Sequence, residues 1–200
     1  MSVSTSNPSV GKPPPPIQWN RMGWLLLAGA TWGAALDYMH THGGAILYPP
    51  DTNHWKGIPT FAVVYAVPAA IYAAGHTPAP PQTTYAAALP SLMVFSQCYA
   101  LTAYAWRRIP SAALAAGMNA VALWYWFKFD GSARGLALGA AIAVCGCAVE
   151  HAKSVAGDME YQVQDVGAVP WWLFSIYFLA ACTWGQLNRR FLRGGIGASD

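Results

Sequence analysis

The stretch WYWFKFDGSARGLALG, from Trp124 to Gly139, marks the place where one long apolar segment ends and the next begins. Aromatic residues open the stretch, three charged residues lie within it, and small apolar residues close it. Asp130-Gly131-Ser132 is a turn signal, and serine is a residue type that caps the start of a helix. Tryptophans beside charges are typical of the boundary between a bilayer and water. We therefore predict a short loop at a membrane surface between two spanning helices.

The composition of the whole chain also favours a membrane protein. Of its 200 residues, 55% are hydrophobic and 10% are charged, whereas a typical soluble domain is about 25% charged. The net charge of +3 is small and its basic residues are scattered, which argues against nucleic-acid binding. All four cysteines lie in apolar segments, so packing is a simpler role for them than a disulfide framework or a zinc site. We predict neither a metal nor a cofactor.

The lengths of the apolar segments predict the fold class. A helix needs about 20 mostly apolar residues to cross the hydrocarbon core of a bilayer. Six segments approach that requirement, and we predict an all-α, polytopic bundle of six transmembrane helices within residues 21–191. The segments are Met22–His40, Pro59–Ala74, Thr84–Trp106, Ser111–Phe127, Ser132–Lys153 and Val169–Leu187. Residues 1–20, with four consecutive prolines, are predicted to be a disordered tail, and residues 192–200 a short C-terminal tail.

The distribution of Lys and Arg predicts the orientation of the bundle, because these residues are more frequent on the cytoplasmic side. With the N-terminus in the cytoplasm, seven of them fall on that side and four on the other. The seven are Lys12, Arg21, Lys128, Arg134, Arg189, Arg190 and Arg193, and the four are Lys56, Arg107, Arg108 and Lys153. We therefore predict that both termini are cytoplasmic, in a bacterial inner membrane or in the endoplasmic reticulum of a eukaryote.

Several of these segments resemble the insulin-induced gene (Insig) proteins. FDGSARGLALG, residues 129–139, resembles the family's F-D-x-S-x-x-G-L-x-L-G segment. Further along, Tyr161-Gln162 is similar to the family's Y-Q-Y loop, and residues 171–191 are similar to its final helix. LYPPD, residues 47–51, is similar to the L-F-P-D loop that follows the first helix of the family. The order and spacing of the fourth to sixth spans agree with those of Insig proteins, and the N-terminal half is similar in its pattern of spans.

The resemblance implies a six-helix bundle with a cavity that binds a hydrophobic lipid, which is an oxysterol in animal members. It also implies a sensor or regulator that retains partner membrane proteins and has no catalysis of its own. The residue that corresponds to Asp130 bears on partner binding in the family, whereas the local sequence allows Asp130 to be part of a helix start. The Ala-rich composition and the short GSAR loop are those of a bacterial-type homologue, whose ligand would be a glycerolipid such as diacylglycerol. Self-association of the chain is left open.

Polar side chains inside apolar spans indicate where such a lipid would bind, because they are costly there and are often functional. Asp37, Gln97 and Asn119 lie within the first, third and fourth predicted spans. We expect them to hold the hydroxyl or ester of a lipid head, with Trp32 and Phe95 as apolar walls around its tails. The alternative for each is an interhelical hydrogen bond, worth about 1 kcal/mol.

A second hypothesis is a membrane-embedded enzyme that modifies a lipid. Asp37, His40, His54, Glu150 and His151 are residue types that form metal or acid/base sites, and Asp37 and His40 are three apart on one helix face. The sequence has no repeated histidine box, and the histidines that follow the first span fall where that span ends. A non-catalytic protein is therefore the preferred interpretation.

Overall fold

Long helices make up most of the described chain. The computed structural model describes residues 18–50, 66–67, 70–71 and 85–192. Within these ranges the long helices are α1 (Met22–His42), α2 (Tyr85–Ala105), α3 (Ser111–Phe129), α4 (Ala133–Val155) and α5 (Trp172–Leu192). A 3₁₀ turn at Trp19–Arg21 precedes α1, and two short strands, β1 (Ile46–Leu47) and β2 (Glu160–Tyr161), pair antiparallel.

These helices coincide with five of the six predicted spans. The largest difference is at the end of α5, which reaches Leu192 instead of Leu187. Most of the predicted second span, Pro59–Ala74, lies outside the described residues, although residues 66–67 and 70–71 are helical. By length and mean hydropathy, α4 is the one helix in the described part of the chain that could cross a membrane. The number of six spans therefore stays a prediction.

Helices α1 and α2 run in the same direction. Trp32 Nε1 donates to Ser96 Oγ at 3.2 Å near the middle of both helices, and His40 Nε2 lies 2.9 Å from Thr102 Oγ1 near their C-terminal ends. Because the second contact lies further along both helices than the first, α2 begins at the end of the bundle at which α1 begins. Ala66, in the short helical piece between them, accordingly packs with Leu25 in the first turn of α1.

The two ends of the described chain meet at that same end of the bundle. The amide of Gln18 donates to the Leu192 carbonyl at 2.7 Å. Arg21 Nη1 donates to the Phe191 carbonyl at 2.8 Å, just before the end of α5. The start of α1 and the end of α5 therefore lie on one side of the bundle.

Helix α5 is the centre of the bundle and packs against α2, α3 and α4. Its buried side chains include polar ones that bond to neighbouring helices: Ser175 Oγ donates to Asn119 Oδ1 at 2.7 Å, and Thr183 Oγ1 donates to the Tyr125 hydroxyl at 3.3 Å. Large apolar side chains lie instead on the outside. They include Trp24, Leu27, Leu89, Met93, Leu101, Leu123, Trp124, Phe127, Val144 and Val149. An exterior with many large apolar side chains, and polar side chains that are hydrogen-bonded inside an otherwise apolar core, are the features that a bilayer favours.

Two glycines of α4 let it approach α5 closely. A Cβ atom at Gly139 would lie 2.9 Å from Cε2 of Phe178, and one at Gly146 would overlap the ring of Tyr177. The absence of side chains at these positions makes room for the two rings and brings the backbones together, as small residues do in membrane helix pairs.

Candidate functional site

An apolar cavity of about 570 Å³, open towards the outside of the bundle beside the exposed Trp24, lies between α1, α2 and α5. Its walls include three tryptophans and several aliphatic or aromatic side chains, among them Trp24, Trp32, Leu92, Trp184, Leu187 and Phe191. A cavity of this size with a mostly hydrophobic wall is typical of a site for a small molecule.

Two polar side chains in the wall of this cavity, Thr31 and Trp32, are already hydrogen-bonded within the protein. The Thr31 hydroxyl donates to the Leu27 carbonyl at 2.9 Å. The indole N–H of Trp32 donates to the Ser96 hydroxyl, which in turn donates to the Leu92 carbonyl at 2.7 Å. The wall therefore presents mainly carbon atoms to a ligand, which suits an acyl chain or a fused ring system.

Of the two predicted apolar walls, the structure places only Trp32 at this cavity. Trp32 is partly exposed there, at 38%. Phe95 is fully buried in the core, where its ring contacts that of Tyr99 edge-on with 5.9 Å between the centroids. Phe95 supports the packing of α2 and is not among the residues that line the cavity.

The three predicted polar residues lie in three different surroundings. Asp37 is 8% exposed and accepts a hydrogen bond from the hydroxyl of Tyr48. Gln97 is exposed on the outer side of α2, and Asn119 is exposed on α3 but accepts from Ser175 of α5. None of the three lines the cavity between α1, α2 and α5. For Asn119, the interhelical hydrogen bond expected as the alternative is present.

A polar cluster that the sequence did not predict lies at the end of the bundle where α1 ends. The strands β1 and β2 form a ribbon there, in which Ile46 faces Tyr161 and Leu47 faces Glu160. The hydroxyl of Tyr161 donates to Glu150 Oε2 at 3.4 Å, and that of Tyr177 donates to Glu150 Oε1 at 3.0 Å. Burial, and then the neighbouring Glu150 carboxylate, raise the pKa of Tyr161 well above its ordinary value. The cluster therefore holds Tyr161 as a neutral donor.

His40 is enclosed by aromatic rings next to this cluster. Its ring stacks on Tyr99 with 4.1 Å between centroids and meets Trp172 edge-on at 5.3 Å. The Thr102 hydroxyl has one proton, which it donates to the Tyr99 carbonyl at 2.9 Å, so it accepts from His40 Nε2. In the part of the chain that the structure describes, His40 Nδ1 and Trp172 Nε1 are buried without a hydrogen-bond partner.

The residues of the enzyme hypothesis are held apart in separate hydrogen bonds. His40 bonds to Thr102, Glu150 accepts from two tyrosines, and His151 Nδ1 accepts from the amide of Ala168 at 3.0 Å. Among residues 18–50, 66–67, 70–71 and 85–192, no group of three or more His, Cys, Asp or Glu side chains is arranged to hold a metal ion. His54 lies outside these ranges.

The loop that joins α3 to α4 contains the helix cap predicted from the sequence. The Ser132 hydroxyl accepts from the Gly135 amide at 2.9 Å, which confirms Ser132 as the N-cap of α4. The Asp130 carboxylate accepts from the amide of Ser132 at 3.1 Å and also from its hydroxyl. Trp126 Nε1 donates to the Ser132 carbonyl at 3.0 Å. Asp130 thus stabilises the start of α4.

The fold of the chain is shared with proteins of known structure. No family model and no curated protein matches the sequence. The crystal structure of MvINS, a mycobacterial Insig homologue from Mycobacterium vanbaalenii, is similar with a TM-score of 0.76 and 24% identity, over 86% of this chain and 94% of MvINS. A cross-linked MvINS trimer gives a TM-score of 0.79 and 23% identity, over 90% of this chain and 97% of that one.

The architecture is a helical bundle whose apolar core contains a few buried polar side chains and whose outer surface carries many large apolar side chains. Its fold is that of the mycobacterial Insig homologue. The resemblance to Insig that the sequence predicted is confirmed at the level of the fold, and the structural match extends over the N-terminal half of the chain.

Proposed function

We propose that the protein is an Insig-like integral membrane protein that binds a lipid in the cavity between α1, α2 and α5. The observation that carries this proposal is the cavity itself, about 570 Å³ in volume and walled almost entirely by apolar side chains. Within that wall, the polar atoms of Thr31 and Trp32 are satisfied by the protein. A ligand would therefore gain free energy mainly by removing its own apolar surface from water.

The location in a membrane is supported by the surface of the bundle. Large apolar side chains cover the outside, and small polar ones bond across the centre. Tryptophans lie near both ends of the helices, as in the aromatic belts of membrane proteins. The parallel course of α1 and α2, and the contact between Gln18 and Leu192, support an even number of crossings. We propose six, with both termini in the cytoplasm.

The ligand belongs to the class of apolar lipids with a small head, such as a diacylglycerol-like glycerolipid or a sterol-like molecule. The protein acts as a sensor or regulator, and we assign no catalytic step to it. The solved trimer of MvINS supports self-association of this chain as well. Because the Asp130 carboxylate bonds to Ser132, we propose that Asp130 affects any partner protein through the conformation of its loop.

Mass spectrometry of co-purified lipids tests the proposal. Ala28 lines the cavity, and Ala28→Trp would fill it. Ala116→Trp, at an exposed position of α3, is the matched control because it adds the same side chain outside the cavity. We expect one lipid species in roughly stoichiometric amount with the wild type and the control, and its loss from Ala28→Trp. No enriched lipid, or equal enrichment in both variants, would contradict lipid binding at this site.

A further inference from the structure

The cavity between α1, α2 and α5 has a cation at the end where α1 begins. The Cζ atom of Arg21 lies 5.5 Å from the ring centroid of Phe191, which is part of the cavity wall. Trp24, one turn further along α1, lines the same cavity. The guanidinium group therefore lies against Phe191, one of the wall residues, three residues before Trp24, another of them.

Most N–H groups of the Arg21 guanidinium make no hydrogen bond to the described part of the chain. It carries five N–H groups, and one nitrogen, Nη1, donates to the Phe191 carbonyl at 2.8 Å. In the described ranges, the ion pair present joins Lys153 to Glu150, and no carboxylate is paired with Arg21. Arg21 is also only half-buried, so a ligand in the cavity can reach it.

Charge at this end of the bundle favours an anion. Lys128 and Arg134 belong to the same end, because they lie at the end of α3 and the start of α4. Among the described residues, the carboxylate at this end of the bundle is that of Asp130, which accepts a hydrogen bond from Ser132. The acidic residues of the α4–α5 connection belong to the opposite end. A concentration of Lys and Arg next to membrane helices attracts anionic lipid heads.

We propose that Arg21 binds the phosphate of an anionic phospholipid whose acyl chain occupies the cavity between α1, α2 and α5. This inference rests on the proposed function and differs from it in the lipid head, which is an anionic phosphate and not the small head of an apolar lipid. It assigns the head to Arg21, which contacts the wall residue Phe191, and not to Asp37, Gln97 and Asn119, none of which lines the cavity. A guanidinium is well suited to the task because its planar N–H fork matches two phosphate oxygens.

Competition between two lipids, read by native mass spectrometry of the full chain, tests the inference. The probes are phosphatidylglycerol and diacylglycerol with identical acyl chains, supplied in equal amounts, because diacylglycerol lacks the phosphate. One charged contact near the membrane surface corresponds to a preference of about fivefold for phosphatidylglycerol in the wild type. We expect Arg21→Gln to reduce the preference towards parity while total lipid binding persists, and Arg21→Lys to retain most of it.

Arg134→Gln is the matched control, because Arg134 is an exposed cation at the same end of the bundle but on α4, away from the cavity. It should keep the wild-type preference. In the wild type alone, the preference should fall as salt rises from about 0.05 M to about 0.5 M, since a partly exposed charge is screened. This salt measurement uses the wild type alone, so it tests the inference even where an Arg21 variant does not fold.

The outcomes separate this inference from the proposed function. Equal binding of the two lipids to the wild type, or a preference that Arg21→Gln leaves unchanged, would overturn the role of Arg21 and leave the cavity as a lipid site. Failure of both lipids to bind the wild type, or undiminished binding to Ala28→Trp, would overturn the proposed function as well.

Discussion

The hydroxyl of Tyr48 lies 3.1 Å from Oδ1 and 3.2 Å from Oδ2 of Asp37. Tyr48 directly follows β1, and Asp37 lies in the last turns of α1, so this bond ties the ribbon to the first helix. Tyr161 of β2 bonds in the same way to Glu150 of α4. Tyr48, next to β1, therefore bonds to a carboxylate of α1, and Tyr161, in β2, bonds to a carboxylate of α4. The two hydrogen bonds attach the ribbon to the end of the bundle at which α1 ends.

Removal of the Tyr48 hydroxyl should weaken this attachment. Tyr48→Phe takes a donor away from a buried carboxylate, and hydrogen bonds to charged groups contribute about 1.5–3 kcal/mol. We expect a clear fall in the thermal unfolding midpoint of the purified protein. Tyr38→Phe is the control, because Tyr38 is on the same helix but 68% exposed. Equal midpoints for the two variants would show that the Tyr48 bond does not stabilise the fold.

The raised pKa of Tyr161 predicts a loss of stability in alkali. The folded protein holds the Tyr161 proton more tightly than the unfolded chain, in which tyrosine ionises near pH 10. The stabilising contribution is therefore complete below about pH 10 and decreases as the pH rises further, by up to about 1.4 kcal/mol per pH unit. Unfolding midpoints measured from pH 8 to pH 11 should fall less steeply for Tyr161→Phe than for the wild type. Parallel curves would contradict a buried, neutral Tyr161.

The closeness of Gly135 to Asp130 should appear as coupling between two substitutions. A Cβ atom at Gly135 would lie 2.5 Å from Cγ of Asp130. Gly135→Ala should therefore cost about 1–3 kcal/mol, because the carboxylate must leave its place at the helix start. In an Asp130→Ala background the same change should cost much less, and a double-mutant cycle measures the difference. If the effects of Gly135→Ala and Asp130→Ala on the free energy of unfolding were additive, the Asp130 side chain would not be fixed against Gly135.

The contact of Gly146 with Tyr177 predicts opposite effects for two glycine substitutions. Gly146→Ala would push a methyl group into the Tyr177 ring and separate α4 from α5, at a cost of about 1–3 kcal/mol. Gly117→Ala has nothing within 4 Å of the added carbon, so it should stabilise α3 by about 0.5–1 kcal/mol. Thermal midpoints of the two variants should move in opposite directions. A neutral Gly146→Ala would show that the α4–α5 contact adjusts without strain.

The positions of the helices were predictable because the length of an apolar segment reflects the thickness of a bilayer. The error at α5 has an identifiable cause. Gln186 and Asn188 suggest that the apolar span ends, but both are buried within the bundle, and Gln186 Nε2 donates to the Phe129 carbonyl at 2.5 Å. The helix therefore continues to Leu192, past polar residues that sequence alone places at its end.

The candidate site was less predictable. The position of a residue along its helix follows from the sequence, but the face of the helix on which its side chain lies does not. Phe95 and Gln97 are adjacent in depth, yet two residues along a helix correspond to nearly opposite faces. One is fully buried and the other is exposed. Helices that are apolar on all sides give no periodic signal to distinguish the two. The pairing of Tyr161 with Glu150 was equally hidden, since strands of two residues are too short to show alternation.

A photoreactive lipid provides the most direct test of the cavity as the binding site. A phospholipid with a diazirine in its acyl chain would be irradiated with the purified protein, and the labelled peptides identified by mass spectrometry. We expect adducts within Trp24–Trp32 of α1 and Trp184–Phe191 of α5, suppressed by Ala28→Trp and retained in Ala116→Trp. Adducts spread over the exposed face of α4, at Val144 and Val149, and unaffected by Ala28→Trp would contradict a lipid site in the cavity.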